Sequence, residues 1–220
     1  MPTPSTPTAG YNAGLFITST PSVTMTDEAM TDSGDHTTYN VTNSAHQAWD
    51  YSASFTVQTS PDGSTWATAS ASTYTINYAI GQVVFTSAVS GATPSCRIAS
   101  GYYFTIAFLA GVTAIDGTGT GAALDATSMQ NPPSTWKDFI SGERSATLKL
   151  STIWVNGGVF LAHMSADDIL LLQVYPNQAN AQRYQGYGVM TTDSFKSAVS
   201  AVNTEEIDFN IKGKLYYLNS

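Results

Sequence analysis

The sequence predicts a mainly β protein, and three observations carry that reading. The first is strict alternation near the C-terminus. In Glu205–Leu218, EEIDFNIKGKLYYL, apolar side chains fall at Ile207, Phe209, Ile211, Leu215 and Tyr217, with Gly213 between them. The alternate positions hold Glu206, Asp208, Asn210, Lys212, Lys214 and Tyr216. Successive side chains on a strand point to opposite faces, so this segment has one buried face and one polar face. The second observation is that turn signals recur about every ten residues through the first half, the rhythm of a sandwich or small barrel. The third is composition. Charged residues are 11% of 220, against roughly a quarter in an average globular chain. Thr, Ser, Ala, Gly, Asn and Tyr fill the gap. Such chains are β-rich and offer neutral surface to neighbours; a secreted β protein shares the composition, which leaves both open.

The elements follow in order. Residues 1–14 are rich in Pro, Thr and Gly and bury little. They read as a flexible arm that orders against a neighbouring subunit. Residues 15–104 read as an N-terminal β region that either decorates the outside of an assembly or contributes strands to it. Leu15–Thr18 is a short apolar start, and Thr26–His36 is acidic and turn-rich. Ala53–Thr59 alternates, with Phe55 and Val57 on one face. Ser60-Pro61-Asp62-Gly63 then has the chemistry of a turn. Tyr74–Tyr78 and Gln82–Thr86 form a hairpin about Ala79-Ile80-Gly81. Arg97–Ile106 holds the last strand of this region.

A seam is expected near Thr105–Gly111, and residues 105–220 form the second β domain. Gly117–Gly121, GTGTG, reads as a flexible strand end or loop. Asn131-Pro132-Pro133 breaks the chain before a helical turn at Ser134–Ile140, with Ser134 as N-cap. Ser145–Trp154 alternates, Ala146, Leu148, Leu150 and Trp154 opposite Ser145, Thr147, Lys149 and Ser151. Residues 158–164 read as another helical turn. Ser165–Tyr175 begins like a capping box, yet Ile169–Tyr175 is a compact apolar run stopped by Pro176, and we read it as a buried strand. Gln182–Met190 is a further strand, and Thr192–Ala201 a polar connection or short helix.

The net charge is −8, and Arg97 is the only basic residue before Lys137. Attraction to phosphate supplies most non-specific nucleic-acid affinity, and this chain cannot provide it. Cys96 is the single cysteine, which excludes an intrachain disulfide and a cysteine-rich metal site. The N-terminus has no positive n-region or apolar h-region of a signal peptide. No apolar run approaches the roughly 20 residues of a membrane span. A soluble product of a reducing cytoplasm, with no membrane insertion, is expected.

Chemistry-bearing motifs are sparse. There is no Walker loop, nucleophile elbow or zincin motif. His36, His46 and His163 are scattered, and each reads as a surface or packing residue. The carboxylate pairs Asp27–Glu28, Asp167–Asp168 and Glu205–Glu206 read as solvated edges, because adjacent residues on a strand point opposite ways. No enzyme activity, cofactor or metal is expected. Ser60–Trp66, SPDGSTW, resembles a single imperfect Asp box and a phrase found in discoidin-like carbohydrate-binding modules. On that reading Trp49, Trp66 and Tyr74 contact a surface glycan; the competing reading is that these aromatics pack.

With these residues laid out, the chain resembles the major tail tube proteins of long-tailed, siphovirus-like bacteriophages. The resemblance covers residues 105–220 best. It is carried by TSMQNPPSTWKDFISGERSATLKLSTIW, ILLLQVYPNQANAQRYQGYGVMTT and EEIDFNIKGKLYYL, with Trp136, Phe139, Ile140 and Gly142 matching a short helix ahead of the first long strand. It implies a tail-tube fold of two packed antiparallel sheets with a short flanking helix. It implies a virion protein, made in the host cytoplasm, whose homohexameric rings stack into the tail tube around a tape measure protein. Tail terminator and distal tail proteins would be its other partners, and DNA would pass the lumen during ejection without specific binding. The polar face formed by Glu206, Asp208, Asn210, Lys212 and Lys214 is the expected lumen or intersubunit face. A carbohydrate-binding β module, a distal tail protein and a capsid decoration protein are the alternatives.

Overall fold

The computed structural model describes residues 13–125, 139–153, 164, 168–176, 182–196 and 203–218. Among them run eleven strands: β1 Ala13–Asp32, β2 Thr38–Val41, β3 Thr56–Ser60, β4 Ala67–Thr68, β5 Tyr74–Asn77, β6 Gln82–Phe85, β7 Ser95–Asp125, β8 Phe139–Ile153, β9 Ile169–Tyr175, β10 Arg183–Lys196 and β11 Thr204–Leu218. The fold is mainly β, as the alternation requires.

Six strands close on themselves. Neighbours run β1, β7, β8, β11, β10, β9 and back to β1, every pairing antiparallel. Closure leaves no free edge around this belt. Each strand turns apolar side chains inward: Leu15 and Ile17, Val112, Leu148 and Leu150, Leu170, Leu172 and Val174, Met190, and Ile207, Phe209 and Ile211. The barrel interior is thus filled by side chains.

β1 and β7 are far longer than the barrel needs. They continue side by side, Val23–Ala29 against Tyr103–Arg97, and become the spine of a second lobe. β3 and β4 extend this spine beside β7, and β2, β6 and β5 extend it beside β1. Trp49, Tyr39, Val57, Val83, Phe85, Cys96 and Ile98 fill the lobe. The β5–β6 hairpin falls where the sequence puts it. Gly81, at φ +61, lies so near Val41 and Gln47 that a Cβ would collide with both.

The lobe leans on the barrel wall at β9 and β10. Leu171 and Tyr187 point outward from those strands and pack with Ala48 and Ala79 of the lobe. The Tyr187 hydroxyl donates to the Trp49 carbonyl and the Gln185 amide to the Ala79 carbonyl. Arg183 donates to Gln47 and to Gln185, each at 2.7 Å. Alternate residues of β9 therefore face the barrel core and the lobe, and both faces are buried. This is why Ile169–Tyr175 reads as a continuous apolar run rather than as alternation.

Several expectations are corrected. Residues 105–111 are no seam, because β7 runs unbroken through them. The barrel takes Leu15 and Ile17 from β1, so its strands come from both expected regions. Gly117–Gly121 is strand, paired with Arg144–Leu148 of β8. Thr192–Lys196 is the end of β10, held by pairing with Thr204–Asp208. Phe139 and Ile140 are strand, paired with Asp125 and Leu124; the rest of the turn expected at Ser134–Ile140, and most of that at 158–164, lies outside the described residues, as do residues 1–12 of the arm expected at 1–14, whose Ala13 and Gly14 instead begin β1.

Candidate assembly surface

Opposite the lobe, the barrel wall is open to solvent. Here β7, β8, β11 and β10 lie side by side, and register aligns their outward residues in rows. One row is Asp116, Lys149, Asp208 and Thr192. The next is Ala114, Ser151, Glu206 and Ser194, and a third is Thr118, Thr147, Asn210 and Val189. The inward partners on the same strands, Leu148, Leu150, Ile207 and Phe209, are buried. Period-2 alternation on four strands thus produces one hydrophilic sheet face of short side chains.

Its charges pair across strands. Lys149 Nζ lies 3.7 Å from Asp208 Oδ2, and Lys196 Nζ 2.7 Å from Glu206 Oε1. The Lys196 hydrogen bond, aided by its charge, holds the Glu206 carboxyl below its ordinary range. Two of its acidic side chains are thus paired with lysines, and Asp116 adds a third, which leaves the face mildly acidic.

The sequence-predicted face divides. Glu206, Asp208 and Asn210 lie on this hydrophilic surface. Lys212 and Lys214 do not continue it. Gly213, at φ +85, sits in a bulge where Gly213–Leu215 of β11 oppose Gly186 of β10. The two extra residues interrupt the ladder and increase the local twist. Lys212, just before the bulge, and Lys214, within it, line a cleft beside the lobe, and Tyr217, expected inside, is 53% exposed.

The expected glycan contacts are not brought together. Trp49 is fully buried in the lobe core, where no ligand reaches its face, and that expectation is corrected. The guanidinium of Arg97 covers the Trp66 ring at 4.4 Å. Tyr74 packs edge-on against Phe85 in the lobe core, with centroids 5.8 Å apart. The SPDGSTW segment is a self-capped turn: Asp62 accepts from the backbone of Ser64 at 2.9 Å and of Thr65 at 2.7 Å. Those bonds, chiefly that from Thr65, depress its carboxyl pKa. Among the described residues no three His, Cys, Asp or Glu side chains group as metal ligands.

Sequence reasoning missed Asp116, Lys149, Ser151, Thr192, Ser194 and Lys196 as members of one surface. Two strands of the face show no apolar alternation at those positions, and only register joins them.

No model of a known protein family matches the sequence, and no curated protein matches it at a significant level. Among solved structures, the chain is similar to a component of the tail of an empty gene transfer agent particle, refined helically with C6 symmetry. The identity is 16% and the TM-score 0.43, over 52% of this chain and 87% of that one. A chain from the virion of a native gene transfer agent particle is similar at 17% identity and TM-score 0.43, over 51% and 88%.

Proposed function

We propose that this chain is a structural subunit of a phage-like tail, and not an enzyme. Its copies close into hexameric rings, the rings stack into a tube, and the tube conducts DNA during ejection. One observation carries the reading: the hydrophilic face across β7, β8, β11 and β10, set on a barrel whose inward side chains are apolar. The one recess among its described inward residues, about 430 Å³ walled by Ile115, Leu148, Tyr184 and Leu215, is lined without a charged side chain or histidine. A broad face of Thr, Ser, Asn and paired charges is suited to line a wet channel. Asp116, Glu206 and Asp208 against Lys149 and Lys196 leave that face mildly acidic, which repels phosphate instead of trapping it. Tape measure, terminator and distal tail proteins are the partners this role requires, and the virion tail is its place.

Negative-stain electron microscopy of the concentrated protein tests the proposal. Hollow rings or tubes with six-fold averages are the expected result. Monomers that persist after a tail initiator complex is added would overturn it.

A further inference from the structure

The charges of this molecule are separated along its length. Lobe strands β1 and β7 run together from Val23 and Tyr103 out to Asp32 and Ser95, a reach of about 30 Å at the usual rise per strand residue. At the far end two turns carry Asp32, Asp35 and Asp62 and no lysine or arginine, with His36 set against Asp32. The turns are rigid: Asp35 accepts from the backbone of Thr37 and Thr38 at 2.9 and 2.7 Å, and Asp62 is capped in the same way.

At the near end, where lobe meets barrel, lie Lys212 and Lys214. Arg97, Lys149 and Lys196 each have a carboxylate at 3.0, 3.7 and 2.7 Å. Lys212 and Lys214 have none among the described residues. Both are exposed, and their ammonium groups lie over the rings of Tyr51 and Tyr216 at 5.4 and 4.8 Å. They flank a cleft of about 310 Å³ whose floor includes Tyr78 and Tyr187, and whose lining holds no acidic residue. Lys212 pairs with Tyr187, the β10 residue that packs against the lobe, and Lys214 follows within the bulge, so both border this cleft.

We propose that Lys212 and Lys214 dock the acidic lobe tip of a second copy of this chain. Within one copy the two ends are too far apart to meet, so the complementarity is satisfied only between copies. A cation set over an aromatic ring and beside a shallow cleft binds a carboxylate with less competition from water than a free surface lysine does. The contact is heterologous, tip to base, and such contacts propagate into rings or filaments. It rests on the self-assembly reading above and adds the surface that joins neighbours.

The test uses the full chain, half of it labelled with nitrogen-15, assembled at low salt and treated with a carbodiimide, which joins amines to carboxylates in contact. Mass spectrometry should find crosslinks between labelled and unlabelled copies from Lys212 or Lys214 to Asp32, Asp35 or Asp62. Crosslinks from these lysines only to other carboxylates, or none in assembled material, overturn the proposal. K212E/K214E should raise the concentration needed for assembly about tenfold, in line with two exposed ion pairs, and flatten its dependence on salt. K212Q/K214Q keeps the stems and should show a smaller shift in the same direction if the reversal impairs folding. Unchanged assembly of both variants sinks the docking proposal alone. Absence of any assembly by the parent chain, with a tail initiator complex added, sinks it together with the tail reading.

Discussion

The two outward faces of the barrel wall obey opposite rules. Under the lobe, β9 and β10 present Leu171, Gln173, Gln185 and Tyr187, all buried. Across the barrel, β8 and β11 present Thr147, Lys149, Glu206 and Asn210 to solvent or near it. The inward residues of all four strands are alike, so the backbone does not distinguish the faces. Cover does: a strand with a lobe on its back can carry apolar and amide side chains there, and an uncovered strand cannot. The covered face fixes the subunit's shape. The uncovered face is left for whatever the assembly places against it, water included.

The largest expected effect breaks the covered face. Leu171→Ala should destabilise the fold by about 2–5 kcal/mol, the range for emptying a buried leucine site. Asp208→Ala on the other face should cost under about 1 kcal/mol. Paired urea melts check both. Equal losses would mean that the second face is packed as well, and that the contrast is false.

A narrower cut tests the joint itself. The Tyr187 hydroxyl is buried and donates to the carbonyl of Trp49, linking β10 to the lobe. Tyr187→Phe removes the donor, leaves that carbonyl unsatisfied and should cost about 1–3 kcal/mol. Faster amide exchange in the lobe than in the barrel would show that the bond holds the two together. A uniform change would show instead that lobe and barrel open as one unit.

Buried groups of the lobe give the fold an alkaline response, as does Tyr187 of β10, whose phenol burial also raises. Burial pushes the Cys96 thiol from 9.0 up to about 12, and burial, with nearby charges, raises the Tyr39 phenol from 10.0 to about 12. The folded state therefore keeps protons that the unfolded state releases. Stability is full below pH 9 and declines between pH 9 and 12, since the folded state binds more protons there. Cys96→Ala should make that decline shallower, although the parent and variant will differ at neutral pH. Identical slopes would remove Cys96 from the account.

Much of this was legible in the sequence, and the misses have physical causes. Val57, Ile207, Phe209 and Ile211 were readable as core, because one-sided burial writes itself as alternation. The Ile169–Tyr175 strand was readable from its length and Pro176, but not what covers it. The full extent of β7 was not readable. Residues 116–121 alternate Gly with Asp or Thr and bury little, so only the pairing with β8 makes them strand. Trp49 and Trp66 show the limit for sites: composition reveals an aromatic, and only packing decides whether its face is available. Gly213 was visible, but one glycine does not disclose a bulge, nor that the lobe borders β11 at Lys212 and Lys214.

The smallest expected effect is the most informative about the uncovered face. The Lys149–Asp208 pair is 3.7 Å apart, with side chains 63% and 34% exposed. Solvent at that exposure screens the attraction, so a double-mutant cycle with Lys149→Ala and Asp208→Ala should give a coupling of about 0.2–1 kcal/mol in the free subunit. Lining a wet channel, the pair would stay screened and the same coupling would be found in assembled material. Buried against a neighbour, the pair would lose its water, and removing one partner alone would then cost several-fold more than removing both. Comparing the cycle in subunits and in assemblies therefore separates a lumen from a seam. A coupling unchanged on assembly favours the lumen, and one that grows places these rows between subunits.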